Sequence, residues 1–307
     1  MNPSPAPFFS FVTATFNRAE FLPRLIQSMK IQTFADFEIL IIDDGSTDNT
    51  LKILNDISKD EVRLRFIHQE NMERGAARNN GISNAKGRYV VFVDSDDTFD
   101  ANHLELLHQN IIRLDFPDFI CNKFDVITGS KVKNPKICGL KPGWYDYRLL
   151  LDGNVLGMYH AVRRDNAGLK PFEQDRAYAI LEDWMFNFEN LRNNRIYVTD
   201  DITYHLHDHP ERSMRSNHSE IIRIKMKAID WIISRTRLTS DEISKLKSQG
   251  DFFAAVHFRL AGDFTAAMFH LRKSLNSGGL KIKHIKLFLK LIFGLFPKSQ
   301  IESAEKS

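Results

Sequence analysis

The sequence predicts an α/β protein built on a mostly parallel sheet flanked by helices, with a smaller helical region at its C-terminal end. Three observations carry this. Runs rich in β-branched and aromatic residues alternate with helix-periodic segments through the first half. Those runs are apolar almost without interruption, as strands buried on both faces must be. From Asn217 onward the pattern is helical only.

The strands are read at Phe8 to Ala14, Glu38 to Ile42, Leu64 to His68 and Tyr89 to Val93, with helices at Ala19 to Ile31, Thr47 to Ser58 and Gly75 to Ala85 between them. A helix from Asn102 to Leu114 and a strand from Phe119 to Ile127 follow. The stretch to Tyr147, with its Gly- and Pro-bearing loops, yields no clear order. In the last third, Thr239-Ser240-Asp241-Glu242 forms a capping box, Asp263 caps a helix from Phe264 to Leu275, and Gly278-Gly279 stops it. The domains expected are 1–216 and 217–307.

Composition narrows the function. The 307 residues are 43% hydrophobic and 26% charged, which suits a globular chain. A net charge of +3 gives no global reason to expect nucleic acid as a partner. Two cysteines without metal-type spacing fit a reducing compartment. With no leader-like start and no apolar run near the roughly 20 residues that span a bilayer, a cytoplasmic location is expected.

Ligands of open α/β sheets bind beyond the carboxyl ends of the strands. There the second strand runs into Asp43-Asp44-Gly45-Ser46-Thr47-Asp48 and the fourth into Asp94-Ser95-Asp96-Asp97. Ser46, Thr47 and Asp48 suit a turn and a helix cap. Adjacent carboxylates ending an apolar strand repel each other unless a donor group or a cation answers them. A hard divalent cation such as Mg²⁺ or Mn²⁺ would answer the second cluster, Asp96 above all.

The motifs Phe11-Val12-Thr13-Ala14-Thr15-Phe16-Asn17, Ile41-Ile42-Asp43-Asp44-Gly45-Ser46-Thr47-Asp48, Ala77-Arg78-Asn79-Asn80-Gly81, Gly87-Arg88-Tyr89-Val90 and Val93-Asp94-Ser95-Asp96-Asp97 follow in an order that resembles family 2 glycosyltransferases. The resemblance implies a GT-A (Rossmann-like) fold, a nucleotide-sugar half over about 1–115 and an acceptor half over about 116–216. It gives Asp44 the nucleotide base, uracil or its equivalent, with Thr13, Thr15, Asn17, Arg78, Asp94 and Ser95 as the other nucleotide contacts. It makes Asp96 the ligand of Mn²⁺ or Mg²⁺. Arg78 either fixes the donor crevice or pairs with a nearby aspartate. Where the family often has Asn-x-Gly, this chain has Asn71-Met72-Glu73.

Leu181-Glu182-Asp183-Trp184 resembles the family's Glu-Asp-Trp motif, which implies Asp183 as general base; capping of a helix start is the bland alternative. The resemblance assigns His207 to metal or diphosphate and makes Arg212, Ser213 and Arg215 a loop closing over the phosphates. His205 and His209 read equally well as part of an exposed polar loop. Trp144, Tyr145, His160 and Glu182 are candidates for the acceptor, although aromatics in such folds more often pack in the core.

Lys281 to Phe296 is amphipathic on a helix, with Lys283, Lys286 and Lys290 on one face and Ile285, Phe288, Leu289, Ile292 and Phe296 on the other. It suits either peripheral contact with an anionic membrane or docking on the rest of the chain. The expected activity is inverting transfer from a nucleotide diphosphate sugar, a UDP-sugar, to a saccharide or lipid-linked saccharide, in bacterial surface polysaccharide or lipopolysaccharide synthesis. A sugar nucleotidyltransferase would carry a Gly-rich, Arg-bearing loop after the first strand, where this chain has Thr13 to Asn17. A non-catalytic sugar-nucleotide-binding membrane scaffold would have no need of Asp183.

Overall fold

The computed structural model describes residues 6–209 and 217–293. Contacts divide the chain into two units, Met1–Arg212 and Ser213–Ser307.

The first unit opens with β1 (Phe9–Thr15), α1 (Leu22–Lys30), β2 (Phe37–Asp43), α2 (Thr50–Asp60), β3 (Leu64–His68), α3 (Glu73–Asn84) and β4 (Tyr89–Phe92). These strands lie in the order β3-β2-β1-β4, all parallel. The apolar runs are buried along their whole length in β1, β2 and β4 apart from half-buried Ala14. Register brings Thr15, Asp43 and His68 level at one edge.

The chain continues through β5 (Thr98–Phe99), α4 (His103–Arg113), β6 (Phe119–Thr128), β7 (Lys131–Lys133), β8 (Gly143–Tyr145), β9 (Ala161–Arg163), α5 (Glu182–Leu191) and β10 (Ile196–His207). This half of the sheet is mixed. β9 runs antiparallel to both β4 and β6, β6 and β10 are parallel, and β5 and β8 pair antiparallel with the two ends of β10. β10 is a strand of 12 residues whose register shifts between Val198 and Tyr204, so the period of two that marks a strand is interrupted at Asp200-Asp201.

Helix α3 is built from small residues because it lies close to its neighbours. A Cβ on Gly81 would sit 2.3 Å from Val12 Cγ1 on β1, and one on Gly75 would sit 2.1 Å from the Glu173 carbonyl oxygen. That approach delivers Arg78 to the sheet's carboxyl edge.

The second unit comprises α6 (His218–Arg235), α7 (Ser240–Leu260), α8 (Phe264–Gly278) and α9 (Ile282–Phe293). The Thr239–Glu242 capping box forms with both of its bonds, and Asp263 accepts the Ala266 N–H at 2.8 Å. Helix α9 docks on α7 and α8. Leu287 is buried with Ala255 and Leu271, and Lys283 donates to Gln249 Oε1 at 2.6 Å while lying 4.5 Å from the Phe252 ring. Lys283 therefore belongs to the docked side, not to a free basic face. Ile285, Phe288, Leu289 and Ile292 point outward and are exposed, while Phe296 lies outside the described residues.

Candidate functional site

The turn after β2 is held from three sides. Asn17, in the left-handed region at φ 51° that its short amide tolerates, accepts the Thr47 N–H at 2.8 Å and the Asp48 N–H at 3.3 Å, while its own N–H donates to Ser46 Oγ. Gly45 turns with φ 82°, and a Cβ there would meet the Asn71 nitrogen at 2.8 Å. Asn17, expected at the nucleotide, thus spends its side chain on this turn. Asp43 is answered within the protein, its Oδ2 lying 2.6 Å from His68 Nδ1. Asp44 Oδ1 accepts from Gln69 Nε2 at 2.7 Å and from the Met72 N–H at 2.9 Å, which leaves Oδ2 able to accept from a ligand N–H. The buried hydroxyls of Thr13 and Thr15 have no hydrogen-bond partner among the described residues. Unpaired buried hydroxyls are costly, and that of Thr15 ends β1 at the same edge as Asp43.

Beyond β4, Asp94, Asp96 and Asp97 each place an oxygen within 4.8 Å of the others, and Ser95 is buried in the turn between them. Each aspartate has a protein partner as well. Asp94 accepts from Arg78 at 2.8 Å, and Asp97 accepts the Tyr204 hydroxyl at 2.9 Å and the His207 N–H at 3.0 Å. Asp96 Oδ2 lies 2.7 Å from His209 Nε2. Three carboxylates converging at a sheet edge form an all-oxygen set suited to Mg²⁺ or Mn²⁺. The imidazole beside them is that of His209, whose Nδ1 is enclosed without a partner. His207 directs its ring elsewhere, Nε2 lying 2.9 Å from Thr98 Oγ1, and burial with the nearby Arg24 charge pushes its pKa down to about 4. β10 runs through His207, whose side chain meets Thr98 on β5, and has ended at His209. Arg212, Ser213 and Arg215 lie outside the described residues.

Arg78 joins this cluster to α5. Only 4% exposed, it donates to Glu182 Oε1 at 2.6 Å and to Asp94 Oδ1 at 2.8 Å, so the second of its two expected roles is the one the geometry presents. Glu182 is consequently turned inward, 3% exposed, rather than toward an acceptor. Its neighbour Asp183 is half-buried at the start of α5. Burial, with Glu182 adding to it and Arg78 opposing, pushes its pKa up to about 7. A carboxylate with that value is matched to general-base work near neutrality.

Of the remaining acceptor candidates, His160 is enclosed in the core close enough to feel the Arg78 charge, and the pair on β8 lies at the far end of β10. His160 is 1% exposed among Phe92, Phe119 and Phe186, with both ring nitrogens unpartnered and its pKa pushed down to about 3 by burial. Trp144 and Tyr145 sit on β8 opposite Tyr197 and Ile196, at the start of β10, on the order of 30 Å of extended strand from its site end. Trp144 packs edge-on against Tyr197, and the Tyr145 hydroxyl donates to the Lys141 carbonyl.

The family model "Glycosyl transferase family 2" matches residues 10–163. An uncharacterized glycosyltransferase of Rickettsia felis is 45% identical over 97 residues, which are 32% of this chain and 16% of that protein. The GalNAc(5)-diNAcBac-PP-undecaprenol beta-1,3-glucosyltransferase of Campylobacter jejuni is 35% identical over 105 residues, 34% of each. The matched segments thus span well under half of these relatives. The structure of S. aureus TarS 1-349 in complex with UDP-GlcNAc superposes with a TM-score of 0.68 at 18% identity, covering 94% of this chain and 93% of that one, which establishes the GT-A fold.

Proposed function

The chain belongs to glycosyl transferase family 2, and on that basis we propose that it moves a sugar from a UDP-sugar to an acceptor hydroxyl with inversion at the anomeric carbon. One observation carries the reading: Arg78 ties the acidic triad to the helix that begins with Glu182 and Asp183, so the donor-binding groups and a base of suitable basicity share one crevice. The family relatives and the UDP-GlcNAc complex of the structural neighbour support a nucleotide-sugar donor.

Each group then has a task. Asp44 Oδ2 accepts the uracil N3–H, with the Thr15 hydroxyl available to the nucleotide. Asp96, with Asp94 and Asp97, would hold Mn²⁺ or Mg²⁺, which when bound offsets charge on the departing diphosphate. Asp183 takes the acceptor proton as its oxygen attacks the face opposite the leaving group. His209 orients Asp96 by the bond to its Oδ2. We assign Arg212, Ser213 and Arg215 to the diphosphate.

We assign residues 1–216 to the catalytic domain and 217–307 to a helical region whose α9 rests on an anionic membrane surface at the cytoplasmic face. Its outward apolar arc, with Lys286 and Lys290 at one shoulder, supports this. Among the described residues no helix is long and apolar enough to cross a membrane. The acceptor is a saccharide or lipid-linked saccharide of a bacterial surface polysaccharide or lipopolysaccharide pathway, a role the lipid-linked acceptor named for the Campylobacter relative supports.

The test is release of UDP from a panel of UDP-sugars with Mn²⁺. Asp96→Ala should lower it about a hundredfold or more by the loss of charge stabilisation on the leaving group. Turnover that survives both Asp96→Ala and Asp183→Asn would refute the assignment.

A further inference from the structure

Asp183 is clamped by a loop that the sequence did not single out. Residues 150–157 lie across the first turns of α5 and are hydrogen-bonded to it along their length. The Trp184 indole N–H donates to the Leu150 carbonyl at 3.2 Å, Asn187 Nδ2 donates to the Gly157 carbonyl at 2.7 Å, and Asn154 Nδ2 donates to Asp183 Oδ2 at 2.8 Å. The other oxygen of Asp183 accepts the Trp184 N–H at 2.7 Å. The loop returns at Gly157, whose φ of 58° puts it in the left-handed region and whose Cβ position would overlap the Tyr159 ring.

The orientation of the Asn154 amide is what matters. Its Oδ1 is occupied as an acceptor, by the Gly157 N–H at 3.2 Å and by Asn187 Nδ2 at 3.4 Å. The end of the amide facing Asp183 must therefore be the NH₂ group, a donor only. A donor facing Oδ2 is complementary to an ionised carboxylate and opposes a proton on that oxygen. We propose that Asn154 is the positioning residue of the base: it fixes the carboxylate plane of Asp183 and holds it in the proton-accepting form, with Asn187 and Gly157 locking the amide the right way round. This rests on the reading of Asp183 as base.

The charges around Asp183 explain why such a device is useful. Glu182 on the same helix and Asp94 from the end of β4 both favour its protonated form, as does burial, and Arg78 from α3 and the Trp184 N–H oppose them. Asn154 is a further donor on the side of ionisation, and it carries no charge to disturb the donor site.

The test is a ¹³C titration of the Asp183 carboxyl by NMR, its signal identified by its loss in Asp183→Asn. In Asn154→Ala the midpoint should rise by about one pH unit, the equivalent of one hydrogen bond to a charged group. Asn154→Asp, of the same shape, should raise it further, because a second acidic group then faces the first. If the midpoint moves in neither variant, Asn154 is only a loop support and the proposal fails. Release of UDP from UDP-sugars by Asp183→Asn is measured alongside. Undiminished release there overturns the base reading itself, a failure separate from an unmoved midpoint.

Discussion

Replacing Arg78 with methionine, which keeps the length of the stem and removes the charge, isolates the buried ion pair at the centre of the site. In the folded chain the guanidinium answers Glu182, 3% exposed and with its Oε2 already unpartnered, and Asp94, whose side chain is 28% exposed. Without Arg78, Glu182 becomes a buried carboxylate whose one remaining counter-charge among the described residues is Arg74, 3.9 Å away and more exposed. Stranding a buried charge in this way costs about 3–5 kcal/mol. Asp94, nearer solvent, adds less. Urea denaturation followed by circular dichroism reads the loss directly. Arg78→Met combined with Glu182→Gln should recover most of it, since a neutral amide needs no counter-charge. A loss below about 1 kcal/mol, or one that Glu182→Gln leaves untouched, would refute the argument that the pair is an uncompensated-charge trap.

Two further outcomes follow from groups elsewhere in the chain. His160 stays neutral in the fold until about pH 3, whereas in the unfolded chain it takes a proton below its ordinary 6.5, so it withdraws stability as pH falls through that window. His160→Leu should therefore gain on the wild type by about 2 kcal/mol more at pH 4.5 than at pH 7; an equal difference at both pH values in denaturant titrations contradicts the sign worked here. For α9, serine at Ile285, Leu289 and Ile292 leaves buried Leu287 in place. Co-sedimentation with phosphatidylglycerol vesicles should fall about tenfold or more, and phosphatidylcholine vesicles should retain neither protein. Equal retention of the variant would remove the membrane from the reading.

The half of the fold and site that is legible in the sequence is the half in which one signal decides each residue. Continuous apolar runs gave strands buried on both sides, and turn chemistry gave Asp43 to Asp48 its place at their ends. Residues whose role depends on the partner across the sheet were not legible. His207 and His209 are two apart and equally polar; what separates them is that β10 continues to the first and has ended at the second. Trp144 and Tyr145 looked like sugar platforms because the sequence does not say which end of β10 their strand joins. Glu182 and Asp183 are adjacent acids, and only the buried position of Arg78 turns the first inward while the second stays half-buried. Asn154 carried no local signal at all, since its meaning lies in where its amide is pinned. In α9 periodicity found an apolar face, but Leu287 and His284 show that the helix has two buried-or-apolar sides, one already occupied.

The tight seating of α3 has a consequence for how this chain can diverge. Gly75 and Gly81 leave no room for a side chain against Glu173 and Val12, so neither position can drift without displacing the helix between them. Arg78 is carried on that helix, and a shift of even a fraction of an ångström would be felt at both of its carboxylates. Variation in what the protein recognises is thereby channelled away from the helix and into the segments around it. The stretch near Arg176, exposed and bonded to Asn71 and Glu73, is where a side chain can change while Asp44 keeps its bonds from Gln69 and Met72.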